Sequence, residues 1–65
     1  MTRSNVKVLG HSEFIAVLVT VGGYSRIVAQ GSCVDVLADF AMDLSADAEM
    51  AQCAWDNAKI RRELP

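Results

Sequence analysis

The sequence predicts an α+β fold: a two- or three-stranded antiparallel meander followed by one long kinked helix or two short helices. Three observations lead there. Residues 14–21 form a strand-like run that is apolar on both alternating faces, Gly22 and Gly23 separate it from a second strand pattern, and helical periodicity begins after Gly31 with no further Gly or Pro until Pro65. At 65 residues the chain has room for a single domain, 1–65, and a body of that size buries only about 60% of its unfolded surface. Its apolar content of 52% is high for so small a body, which points to association and leads us to expect a homodimer.

The first element is a short strand over about 5–9, where Val6, Val8 and Leu9 accompany Lys7. Gly10, His11 and Ser12 follow as a turn, with His11 as a turn residue rather than a base. A second strand covers about 13–21. Successive side chains of a strand point to opposite sides, so Phe14, Ala16, Leu18 and Thr20 share one face while Ile15, Val17, Val19 and Val21 share the other. Both faces favour leaving water. A single helical layer covers one of them, and a second copy or another protein would cover the other.

The Gly22-Gly23 pair suits a two-residue hairpin turn that needs positive φ, which leads into a third strand over about 24–30. That turn sets a register in which Val21 faces Tyr24, Thr20 faces Ser25, Val19 faces Arg26, Leu18 faces Ile27 and Val17 faces Val28. In this register Ile27 and Ala29 extend the Phe14 face. The expectation is therefore that the Phe14/Ala16/Leu18/Ile27 face seats the helix, and that Ile15, Val17, Val19 and Val21 lie at a dimer or partner interface with Tyr24 and Trp55. The two ring systems with polar handles are natural interface anchors.

Ser32 has the chemistry of an N-cap, and Asp35 lies in the first turn, where a carboxylate suits the helix dipole. Helical sequence then covers 33–63, with a stripe of Val34, Leu37, Ala38, Ala41 and Leu44 widened by Val36 and Phe40. A single helix of that length would extend about 46 Å at 1.5 Å per residue, far beyond the hairpin it must cover. A bend near residue 45, with Ser45 capping a second segment, resolves this. That segment offers Ala46, Met50, Cys53, Ile60 and Leu64 along one side and Ala51, Trp55 and Ala58 along an adjacent one.

The charged pattern with most to say is Asp35, Asp39, Asp43 and Asp47, spaced four apart. Like charges at this spacing disfavour an isolated helix by about 0.2–0.5 kcal/mol per pair. The flank is either a solvated face or a docking surface for a cationic partner. Nothing here suits paired-carboxylate catalysis, which needs two carboxyls across a cleft in different environments. Neither a nucleophile elbow nor a glycine-rich phosphate loop is present, and the chain reads as a non-enzyme.

Cys33, Cys53 and the lone His11 have no Cys-x-x-Cys or His-x-x-x-His spacing, so no metal and no cofactor is expected. The two thiols read as reduced and mostly buried. With no bilayer-length apolar run and no signal-type core after residues 1–5, the expectation is a soluble, unprocessed cytoplasmic protein without a membrane partner. The formal charge of −2 argues against a general nucleic-acid binder, since such proteins concentrate cationic charge.

The leading functional expectation is a small protein-interaction module that regulates or inhibits a larger partner with a basic surface, through the aspartate flank. One alternative is a dimeric DNA-binding transcriptional regulator using Arg26, Lys59, Arg61 and Arg62. Another is a small-ligand binding or sequestering protein with a pocket between protomers near Tyr24 and Trp55.

Overall fold

The computed structural model describes residues 4–11 and 13–58. Three strands, β1 (Ser4–His11), β2 (Phe14–Val21) and β3 (Tyr24–Gly31), are followed by α1 (Val34–Ala46) and α2 (Ala48–Asn57). The strands form one antiparallel sheet in the order β1-β2-β3. The expected α+β order is therefore present, with all three strands and two helices rather than one. β1 is longer than expected and runs through Gly10 and His11, so these two residues belong to the strand rather than to a turn.

β2 is central because it alone is apolar on both sides. Its β1 partners run from Ser4 opposite Val21 to His11 opposite Phe14. The β2–β3 turn uses Gly22 at φ 60° and Gly23 at φ 87°, the left-handed values that a type I′ hairpin requires at both central positions. From that turn the pairing runs as expected through Leu18 with Ile27 and then shifts, so that Val17 pairs with Ala29, Ala16 with Gln30 and Ile15 with Gly31. Val28 is the extra residue of a β-bulge, and the expected Val17–Val28 pair is corrected to Val17–Ala29.

The bulge has a packing consequence. A slip of one residue moves every later side chain to the opposite face. Beyond Val28 it brings Ala29 to the Val17 side and Gln30 to the Ala16 side. Val28 and Ala29 both pack against the core, and Gln30 is exposed.

The helices cover the Ile15/Val17/Val19/Val21 face. Val17, Val19 and Val21 form the buried cluster with Ala41, Leu44 and Ala51, and Val6, Leu37, Phe40, Ala54 and Trp55 pack around it. The expected assignment of faces is thus reversed. Ile15, Val17, Val19 and Val21 are buried in the core of the chain, while Phe14 lies 42% exposed on the open side. Within the α1 stripe, Val36 is the exception and points outward, 66% exposed.

The helix boundaries also differ in detail. Cys33 occupies the N-cap of α1 without a side-chain bond. Ser32 instead accepts the Val34 N–H through its carbonyl at 2.9 Å. The break between the helices falls at Asp47, two positions after Ser45. Asp47 has extended backbone (φ −132°, ψ 101°), yet its N–H donates to the Asp43 carbonyl at 3.1 Å and closes α1. Its carboxylate accepts from the N–H groups of Glu49 at 3.0 Å and Met50 at 3.1 Å and opens α2. One side chain therefore does the work expected of a helix breaker.

α2 packs through Ala51, Ala54 and Trp55, so the Ala51/Trp55/Ala58 side faces inward and Met50 and Cys53 face out. Ala58 ends the helix in extended conformation, short of the expected 63; Ile60 and Leu64 lie outside the described residues. Both thiols, Cys33 and Cys53, are free and exposed rather than buried.

Candidate functional site

The candidate sites among the described residues are surfaces, and each follows from how the elements distribute charge and apolar area. The helical layer is the most polarised. Asp35, Asp39, Asp43, Asp47, Glu49 and Asp56 are all exposed, and no Lys or Arg occurs between Val34 and Asn57. These are six of the eight carboxylates in the chain. A turn of 100° per residue places Asp39 and Asp43 away from the buried Ala41. Asp47 departs from the expected line of four, because its carboxylate is engaged at the start of α2. Glu49 and Asp56 extend the acidic layer onto α2, which a search for four-residue spacing along α1 does not find. Asp56 also accepts a bond from the Gln52 amide at 3.0 Å.

At the other end of α2, Arg26 is committed within the chain. Its guanidinium lies 3.8 Å from the Trp55 ring centroid and donates to the Trp55 carbonyl at 2.9 Å. The Trp55 indole N–H in turn donates to the Tyr24 carbonyl at 3.2 Å. This clamp ties α2 to β3, and it sets a cation beside carbonyls of the last turn, where the helix dipole favours one. Arg26 is therefore not a free phosphate contact, and the Trp55 ring face is covered by its own chain. Tyr24 is 61% exposed while its backbone serves the clamp. Lys59, Arg61 and Arg62 lie outside the described residues.

The open sheet face is mixed. Leu9, Phe14, Ala16, Leu18 and Ile27 share it with Asn5, Lys7, Thr20, Ser25 and Gln30, following the register. The Thr20 and Ser25 hydroxyls are bonded across the strands at 2.7 Å. Leu18 is only 7% exposed although it is not part of the cluster under α1 and α2; its cross-strand neighbours Lys7 and Ile27 flank it in the register.

A third surface was not expected from sequence. Between β1 and α1 runs an apolar groove of about 540 Å³ lined by Val6, Val8, Ala38, Ala41 and Met42. Val8 is 48% and Met42 70% exposed on it. The available signal was the Val6/Val8 alternation, which marks one face of β1 as apolar once that strand is extended.

Among the described residues, no group of three or more His, Cys, Asp or Glu side chains is placed to hold a metal ion. Nor is any described helix long and apolar enough to cross a membrane. No family model, curated protein or solved structure matches this chain.

Proposed function

We propose that the chain is a small, non-enzymatic protein-interaction module, working as a homodimer, that regulates or inhibits a larger partner by docking its acidic helical layer on a basic surface. The observation that carries this reading is the separation of charge: six exposed carboxylates and no cation between Val34 and Asn57. Such a layer opposes its own folding through like-charge pairs at Asp35/Asp39 and Asp39/Asp43. In return it projects a negative field that steers a cationic partner and sets its orientation. Two exposed, unbridged thiols accord with a reducing compartment, as in the cytoplasm.

The test is a charge reversal. Partners retained by the immobilised protein are identified, and their affinity for the wild type is compared with that for the Asp35→Lys/Asp39→Lys/Asp43→Lys variant at low and high salt. Docking through the acidic layer predicts a loss of about tenfold or more in affinity at low salt, shrinking as salt screens the field. Equal affinity and equal salt dependence for the two proteins would remove the mechanism.

A further inference from the structure

Two strands of the sheet are edges, and they are not alike. β3 is interrupted by the Val28 bulge, and its Tyr24–Arg26 end is tied to α2 by the Trp55 clamp. β1 is paired with β2 along all eight residues without a shift. Native proteins usually blunt an exposed edge with bulges, prolines or shortness. β1 has none of these. Its single charge, Lys7, is opposite Leu18 in the register and so belongs to the open face, where it can stay in water when another strand adds to the edge.

Two-residue loops close hydrogen-bonded pairs, and strand residues alternate between their two neighbours. Val21 and Val19 therefore bond to β3, and β2 uses its even-numbered residues toward β1. By the same alternation β1 bonds inward through Asn5, Lys7 and Leu9. Ser4, Val6 and Val8 are left with N–H and C=O groups directed outward, and Gly10, at φ 124°, follows them along the edge. The side chains of Val6 and Val8 line the apolar groove under α1, and Met42 stands on its rim.

We propose that β1 is the dimerisation edge: two copies pair their β1 strands antiparallel about a two-fold axis, giving a continuous six-stranded sheet with the two α1 helices above the seam. This assignment rests on the homodimer reading above and names its surface. A register centred on Val8 sets Val8 against its own copy, Val6 against Gly10 and Lys7 against Leu9, so that Lys7 avoids a like charge. The edge groups of Val6, Val8 and Gly10 then make about six N–H···O bonds, within the range of ordinary interfaces.

A second copy fits because the surface is self-complementary. Each protomer brings an exposed Met42 and an apolar groove to the same axis; at 100° per residue Asp43 turns about 100° away from Met42, while Asp39 sits beside it at about 60°. An overlap of about seven residues spans roughly 24 Å, and the smallest principal extent of the protomer is 17 Å. The paired edges thus bury about 400 Å² on each copy, about 800 Å² in total, in flat cross-section before the relief of Val8 and Met42 is added, which is below the stable specific class and in the range of weak, transient pairs. The dimer is accordingly reversible.

Sedimentation equilibrium over a wide concentration range tests this on the full chain, with circular dichroism as a check of folding. The wild type should rise from the 7.0 kDa protomer mass toward twice that value. Val8→Glu and Met42→Glu should each raise the dissociation constant about tenfold or more, because each sets like charges across the axis. An equimolar mixture of Val8→Glu and Val8→Lys should restore association, whereas Phe14→Glu on the open face should leave it unchanged.

A wild type that stays at protomer mass at every concentration would overturn the homodimer reading and the edge assignment together. Wild-type association that survives Met42→Glu, or is abolished by Phe14→Glu, would overturn the edge assignment and leave the homodimer reading standing. Should Val8→Glu fail to fold, Met42→Glu decides, since its side chain is already in solvent.

Discussion

The two faces of β2 are similar in apolar content and opposite in fate. Val17 and Val19 are fully buried, whereas Phe14 on the other side is 42% exposed. The strand alone does not settle which side the helices take; its neighbours do. β1 adds Val6 and Val8 to the covered face but Asn5 and Lys7 to the open one. The Val28 bulge then delivers Ala29 to the covered face and Gln30 to the open one. Burial is therefore a property of the summed sheet face, and one extra residue in an edge strand tilts the balance.

The contrast is broken most severely from the covered side. Leu44→Ala removes a 1% exposed side chain from the centre of the core and is expected to destabilise by about 2–5 kcal/mol. A chain of this length has only about 3–10 kcal/mol in total. Urea titration should therefore show a largely unfolded protein or one with a sharply lowered midpoint. Phe14→Ala, although it removes a larger side chain, should lower the midpoint much less. Equal losses would mean that the open face is covered in solution.

The helix-to-sheet clamp comes next. Arg26→Ala removes a charge-assisted hydrogen bond and a cation–π contact at once, and should lower stability by about 1–3 kcal/mol in thermal or urea unfolding. Arg26→Lys should restore only part of this, because an ammonium lacks the planar fork that both stacks and donates. Asp47→Ala should follow at about 1 kcal/mol, read as a lowered melting temperature with a loss of helical ellipticity. Thr20→Val is the smallest, about 0.5–1 kcal/mol, since it breaks one cross-strand hydroxyl pair on the half-open side.

The element order, the Gly22-Gly23 turn and the strand runs were legible because each rests on local chemistry: alternation, a positive-φ requirement and helical spacing. The face assignment was not, because the register shifts beyond Ile27 and no local signal marks Val28 as the extra residue. Arg26 also places a cation on the covered face, opposite Val19, which counts against burial as long as its partner is unknown. Its charge is in fact spent on Trp55, 29 residues away in sequence. The helix break illustrates the same limit: Ser45 and Asp47 are both competent caps, and the choice between them depends on where α1 leaves the sheet. Among the candidate site residues, the aspartates of α1 could be found by spacing, whereas the β1 groove required two separate elements to be brought together.

The Arg26–Trp55–Tyr24 clamp gives the molecule an optical reporter of its own. Trp55 is the only tryptophan, held between a guanidinium and the Tyr24 carbonyl at the point where the last described helix meets the sheet. Its emission therefore follows the docking of α2, while far-ultraviolet dichroism follows the chain as a whole. If α2 lifts from β3 before the sheet melts, the fluorescence transition will precede the dichroism transition, and the acidic layer can be seen coming apart one helix at a time.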